Sequence, residues 1–278
     1  MKKTCVIGYP IAHSRSPLIH NYWLQFYGLE GIYEKREVRP EDLAHFLQNL
    51  GAEGFVGCNV TIPHKEAALA LVPHLDEVVK RTGSLNTIYF VAGMLHATST
   101  DGEGFYQNLL ANIPDLDLSG KTAIILGAGG SARAIIERLL RADVGTIKIL
   151  NRTHARAQEL SSLFGSRVGP IDWNRFDNES KNAALLVNTT PSVLNGHSEF
   201  EIDLSHLPSH AVVADIVYVP LKTTLLAKAE ARGLRTVGGL GMLLHQAVVG
   251  FEKWYGVKPQ VTDELYRLVA RDIDPGFS

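Results

Sequence analysis

Ile124-Ile125-Leu126-Gly127-Ala128-Gly129-Gly130-Ser131-Ala132 is the stretch that decides the fold. An apolar run from Lys121 to Leu126 stops at a cluster of glycines, and a helical pattern follows over residues 130–142. The cluster matches G-x-G-x-x-A. The first glycine of that motif permits a tight turn, the second lets the backbone approach a pyrophosphate, and the small third residue lets helix and strand pack closely. The helix N-terminus then faces the anion. A glycine-rich structural turn would look the same in isolation. Here a strand precedes, a helix follows, and a second strand is expected at 146–150.

The same alternation continues outward. Helix 153–164, strands 184–188 and 211–216, helix 223–232 and strand 235–237 follow in order, the sequence form of a doubly wound α/β sheet. The polar stretch 172–182 reads as a loop or a poorly packed helix. At the end of the second strand, NAD-binding sites carry Asp or Glu for the ribose hydroxyls, but this chain reads Asn151-Arg152-Thr153, with Arg156 one turn on. A guanidinium suits a 2′-phosphate, and no carboxylate repels it, so the expected cofactor is NADP(H). Thr153 also fits a helix N-cap, and Arg152 a solvated surface arginine.

Residues 1–101 alternate too, with strands at 4–8, 32–38 and 55–60 and helices at 17–26, 40–50 and 63–71, several opened by proline. A mostly parallel sheet with covering helices is expected there. A helix at 76–81 and strands at 85–90 and 95–97 follow, with Ala92-Gly93 as the turn between the strands. The domain division read from these patterns is 1–101 for a first α/β domain and 102–239 for the dinucleotide domain. Two terminal helices, 240–255 and 261–271, do not belong to the dinucleotide pattern and are expected to complete the first domain.

Composition bounds the rest. A chain of 278 residues with 45% hydrophobic content supplies a substantial core, and a net charge of −2 without a basic block argues against nucleic-acid and anionic-membrane partners. Cys5 and Cys58 both sit in apolar runs, as buried reduced thiols would, and metal-ligand spacing is absent, so no metal is expected. No leader-like segment precedes Cys5 and no run approaches the ~18 apolar residues of a membrane span, so a cytoplasmic location is expected. G-x-S-x-G and H-E-x-x-H are both missing, which argues against the common hydrolases.

Polar residues gather at the strand ends of the first domain: Ser14 and Ser16 after the first strand, Asn59, Thr61 and Lys65 after the third, Asn86 before a later one, and Asp101 at the domain border. Singly, each has an ordinary explanation. Ser16 could cap the helix at Pro17, Thr100 with Glu103 fits a capping box, and Asn86 could satisfy a turn. Together, hydroxyls, amides and a Lys/Asp pair would recognise a small polyhydroxylated acid.

These residues carry a resemblance along the whole chain to the shikimate dehydrogenase family, NADP-dependent enzymes of aromatic amino-acid biosynthesis. The matching stretches are Ser14-Arg15-Ser16-Pro17, Asn59-Val60-Thr61-Ile62-Pro63-His64-Lys65, Asn86-Thr87, Thr100-Asp101-Gly102, Gly127 to Gly130 and Asn151-Arg152-Thr153. Asn188-Thr189-Thr190-Pro191, Val217-Tyr218-Val219-Pro220 and Gly239 through Gln246 complete them. The resemblance implies that Ser14, Ser16, Thr61, Asn86, Asp101, Tyr218 and Gln246 hold the substrate and that Lys65 works with Asp101 at the reacting oxygen. Gly127, Ala128, Gly129, Gly130, Ser131 and Ala132, with Asn151, Arg152, Thr153, Arg156 and Thr189, would hold the cofactor, and Ile216 and Gly239 would lie near the nicotinamide. The family's Asn-Thr-Asp-Gly reads Ser99-Thr100-Asp101-Gly102, so any role of that Asn side chain is lost. The implied reaction is reversible reduction of 3-dehydroshikimate by NADPH, in a monomer or homodimer. A quinate/shikimate dehydrogenase using NAD is the nearest rival, and a non-catalytic dinucleotide-sensing regulator is the rival from another class. Whether Lys65 transfers the proton or acts as a fixed positive charge is open at this level.

Overall fold

Apolar runs bounded by turn residues become strands throughout the chain. In order, the N-terminal part forms β1 (Lys2–Gly8), α1 (Ser16–Phe26), β2 (Gly31–Glu37), α2 (Leu43–Asn49) and β3 (Phe55–Val60). It continues with β4 (His74–Leu75), α3 (Glu77–Thr82), β5 (Thr87–Val91), β6 (Met94–Thr98) and α4 (Asp101–Asn112). The computed structural model describes residues 1–190 and 202–277, and Pro191, the last residue of one family-like motif, lies outside the described residues. Two units are resolved, Met1–Gly104 with Leu243–Ser278, and Phe105–Met242.

The sheet of the first unit has the order β2-β1-β3-β5-β6-β4. β1 pairs in parallel with β2 and β3, but β5 runs antiparallel to both β3 and β6, so the sheet is mixed rather than mostly parallel. Ala92 (φ 49°) and Gly93 (φ 79°) set the β5–β6 pairing, since two consecutive residues at positive φ close a tight hairpin without a crossover helix. Reversal puts the start of β5 and the end of β6 at the same edge as the C-terminal ends of β1 and β3. Residues far apart in sequence thereby share one rim.

The expected helix at 63–71 is corrected. Val60 is followed by a turn in which the His64 amide donates to the Thr61 carbonyl at 2.9 Å, and only Ala67–Leu71 coils, as a 3-10 helix. Turn closure on Thr61 displaces the first helical turn. Pro63 is accordingly a turn residue here and not a first helical one.

This sheet is covered by α1 and by α9 (Gly239–Tyr255), and α10 (Asp263–Ile273) packs on α1. Gly57 makes room for α9, because an added Cβ would lie 2.2 Å from the Trp254 indole nitrogen, which donates to the Ile88 carbonyl. His20 is sealed beneath, among Trp23, Tyr33, Phe251 and Trp254. Burial lowers its pKa to about 3, outweighing the opposite pull of the Asn59 amide. In the unfolded chain the imidazole takes up a proton near pH 6.5 that the folded site refuses until pH 3, so stability falls as pH drops through that window. At ~1.4 kcal/mol per pH unit, acidification from 6.5 to 4.5 should cost about 2–3 kcal/mol through this residue. Urea midpoints measured against pH should fall more steeply for the native chain than for His20→Phe. Parallel curves would refute the assignment.

The second unit holds β7 (Thr122–Leu126), α5 (Gly130–Arg141), β8 (Thr146–Leu150), α6 (His154–Phe164), β9 (Val168–Pro170) and α7 (Phe176–Ser180). After these come β10 (Ala183–Asn188), β11 (Val212–Asp215), α8 (Thr224–Ala231) and β12 (Arg235–Val237). Its sheet order is β12-β11-β10-β7-β8-β9, all neighbours parallel, as a doubly wound sheet requires. Near-continuous apolar strands such as Ala123 to Leu126 and Ala183 to Val187 fit burial on both faces. No described helix is long and apolar enough to cross a membrane.

Candidate active site

The rim of the first sheet collects the polar residues. Lys65 lies in the turn after β3, its carbonyl accepting from the Leu85 amide, and its ammonium is paired with Asp101 Oδ2 at the start of α4. The two side chains are 17% and 10% exposed, so the pair is largely shielded from water and less screened than a surface ion pair. Asp101 Oδ1 is also engaged, accepting from Asn86 Nδ2 at 2.7 Å. Both oxygens of the carboxylate therefore have assigned donors, and the lysine keeps two of its three N–H vectors for other acceptors.

Asn86 is not a turn-satisfying residue. Its Oδ1 accepts the Thr100 amide at 2.8 Å, and its Nδ2 also reaches Thr100 Oγ1 at 2.9 Å and Gln246 Oε1 at 3.3 Å. Gln246 comes from α9 and is 9% exposed, although its helix-interior position reads as an ordinary surface glutamine. What brings it in is Gly104. An added Cβ there would fall 2.5 Å from the Gln246 Cβ, so only glycine admits so close an approach of α9 to the start of α4. Thr100 Oγ1 accepts from Asn86 Nδ2 and can donate its one hydrogen to Gln246 Oε1 at 3.3 Å. Ser99, standing where the family has Asn, is buried beside it.

Thr61 sits on the same rim, its amide donating to the Ile7 carbonyl, and Gly8 is needed beside it because a Cβ would meet the Thr61 methyl at 2.6 Å. Ser14 precedes α1 and accepts the Ser16 amide at 3.3 Å. Ser16 is no helix cap: it lies inside α1 with its residue buried, and the cap position falls to Arg15, which makes no side-chain cap bond. Ser14, Ser16, Thr61, Lys65, Asn86, Asp101 and Gln246 thus share one unit, whereas Tyr218 belongs to the other, just beyond β11.

The glycine loop of the second unit has the features a dinucleotide needs. Gly127 has φ +106°, and a Cβ would lie 2.6 Å from Thr189 Oγ1, so the turn and its contact with the end of β10 both require glycine. Gly129 differs: a Cβ there would meet nothing within 4 Å, so its absence keeps space open over the backbone. Gly129 also caps α5 without any side-chain bond, leaving the first N–H groups of the helix available to an anion. Ala132 is fully buried between helix and strand. Ala128, Gly130 and Ser131 are half-buried along the same turn.

Beyond β8, Asn151 Nδ2 donates to the Thr153 carbonyl at 2.8 Å, and Arg152 and Arg156 are exposed with no partner among the described residues. Thr153 occupies the N-cap position of α6 but its side chain makes no cap bond, which leaves its hydroxyl free for another acceptor. Thr189 donates to the Leu126 carbonyl at 2.7 Å and so ties β10 to the glycine turn. Gly239 touches the backbone of Ile216, since a Cβ would be 2.2 Å from the Ile216 carbonyl oxygen. The two residues expected near a nicotinamide are therefore neighbours within this unit.

Residues 6–88 match the family described as the shikimate dehydrogenase substrate binding domain, and residues 109–219 match shikimate / quinate 5-dehydrogenase. A shikimate dehydrogenase (NADP(+)) of Rhodopseudomonas palustris is 52% identical over 274 residues, covering 99% of this chain and 98% of the relative. Among solved structures, a shikimate 5-dehydrogenase of Thermus thermophilus in complex with NADP(H) and shikimate superposes with a TM-score of 0.84 at 34% identity, covering 98% of this chain and 100% of its own. A quinate dehydrogenase of Corynebacterium glutamicum in complex with NAD reaches a TM-score of 0.88 at 28% identity, covering 96% and 98%.

Proposed function

The chain belongs to the shikimate dehydrogenase family, and we propose that its reaction, reversible NADPH-dependent reduction of 3-dehydroshikimate to shikimate, runs at Lys65 and Asp101. The observation that carries this placement is the shielded Lys65–Asp101 pair, whose carboxylate is held by Asn86, itself bonded to Gln246. NADPH, when bound, would supply the hydride to the carbonyl carbon. The residues of the chain then have to orient the keto acid and deliver or stabilise charge at its oxygen as the alcohol forms.

Lys65 keeps N–H groups after its pairing with Asp101, and it serves the reacting oxygen. Asp101 fixes where the ammonium points. Ser14, Ser16 and Thr61, clustered beyond β1 and β3, are hydroxyl donors suited to a carboxylate, while Asn86 and Gln246 suit ring hydroxyls. In the second unit the glycine turn and the uncapped start of α5 take the pyrophosphate, and Arg152, with Thr153 and Arg156, takes the 2′-phosphate. The rival that uses NAD and quinate is disfavoured by Arg152, which stands where an acid would be needed.

The test follows reduction of NADP spectrophotometrically with shikimate and with quinate, then repeats both with NAD. Shikimate with NADP should give the highest kcat/KM by at least an order of magnitude, about one charge-assisted contact per site. Equal efficiency with quinate, or with NAD, would overturn the corresponding half of the proposal.

A further inference from the structure

Asn59 opens the stretch that carries Thr61 and Lys65, yet it is only 5% exposed, and its amide is used within the protein. Nδ2 donates to the Asn86 carbonyl oxygen at 3.0 Å and to Thr87 Oγ1 at 3.0 Å, and Oδ1 accepts from the Tyr33 hydroxyl at 2.6 Å. A main-chain carbonyl only accepts, so the nitrogen of the amide must face Asn86 and the oxygen must face Tyr33. Tyr33 is then obliged to be the donor, and burial, which raises its pKa well above the ordinary value, keeps the proton on it. Thr87, having accepted from Asn59, has its own hydrogen free and donates it to Asn86 Oδ1 at 3.1 Å. Asn86 Nδ2 donates in turn to Asp101 Oδ1. Every bond in the series has one consistent direction, and such aligned chains polarise one another.

From these distances we infer that Tyr33, Asn59 and Thr87 are positioning residues that hold Asn86 at both its main chain and its side chain, and so fix the Asp101 carboxylate under Lys65. The inference rests on the placement of Lys65 and Asp101 at the reacting oxygen. Tyr33 is itself immobilised. Its ring stacks on His20 at 4.1 Å with 6° between planes, and Asn21 bonds both its amide and its carbonyl at 2.9 Å. The series thus begins in the aromatic layer behind the sheet and ends at the ion pair on the rim. None of its first three members needs to touch substrate.

The experiment measures kcat, KM and thermal midpoint for Tyr33→Phe, Thr87→Val and Thr87→Ser, in the native chain and in an Asn86→Ala background, with Lys65→Met and Asp101→Asn in parallel. Tyr33→Phe and Thr87→Val should each lower kcat about tenfold, the scale on which small misplacements of a reacting group act. KM for NADP should stay within about twofold, because the series lies in the other unit from the glycine turn. Thr87→Ser, which keeps the hydroxyl, should restore kcat, and neither Tyr33→Phe nor Thr87→Val should lower kcat further once Asn86 is alanine. A merely structural role would lower the thermal midpoint and leave kcat per folded enzyme unchanged, which would overturn the inference. So would losses of full size in the Asn86→Ala background, or failure of Tyr33→Phe to fold after deletion of a single oxygen. If Thr87→Val does not fold, Tyr33→Phe decides alone. Retention of kcat by Lys65→Met and Asp101→Asn would refute the active-site placement itself, an outcome distinct from silence of Tyr33→Phe and Thr87→Val while those two fail.

Discussion

Lys65→Ala should lower kcat for shikimate oxidation roughly 10³-fold, the combined scale of a lost proton-transfer group and a lost charge at a developing alkoxide. KM for shikimate should change much less, because the proposed placement spreads binding over Ser14, Ser16, Thr61, Asn86 and Gln246 and makes the lysine interaction strongest in the transition state. Steady-state kinetics with both substrates varied checks this, and a variant that kept most of its kcat would refute the assignment whatever its KM. Asp101→Asn should fall less far, by roughly 10²-fold. The amide oxygen still accepts from Asn86, while the charge that orients Lys65 is gone. Lys65→Arg separates the two roles left open by the residue types. An arginine keeps the charge but does not give up its proton, so near-native activity would indicate electrostatic stabilisation, and activity as low as alanine's would indicate proton transfer.

How legible this site was depends on whether each residue's partners are near it in sequence. The G-x-G-x-x-A turn reads well because strand, glycines and helix are contiguous, and the same local logic predicts the second sheet. Gln246 is the opposite case. Its bond to Asn86 spans 160 residues and depends on Gly104, two features that no window around Gln246 contains. Residues 61–65 misled for a different reason: a hydroxyl residue, a proline and a lysine fit a helix start, and a turn closed on Thr61 won locally. Capping arguments failed at Ser16 and Thr153 because neither hydroxyl bonds its own helix. At a site where hydroxyls are wanted for a ligand, an unmet cap is informative. β4, of two residues, and β9, of three, were missed because so short a run shows no period at all.

Arg152→Asp should reverse the cofactor preference. Arg152 is exposed at the end of β8 with no partner among the described residues, so nothing visible in the fold depends on its charge, and the substitution tests recognition rather than stability. Removing a charge-assisted bond to the 2′-phosphate should cost about 1.5–3 kcal/mol, one to two decades in KM for NADP. The new carboxylate then repels the phosphate while offering an acceptor to the ribose hydroxyls of NAD, so KM for NAD should hold steady or fall. Ionic strength gives an independent readout. In the native chain KM for NADP should climb with salt as the exposed guanidinium is screened, and in Arg152→Asp that dependence should shrink, while kcat with NAD stays flat in both. Equal changes for the two cofactors would mean that Arg152 does not meet the 2′-phosphate, and the assignment would pass to Arg156, exposed one turn further along α6, where the same substitution would then have to produce the switch.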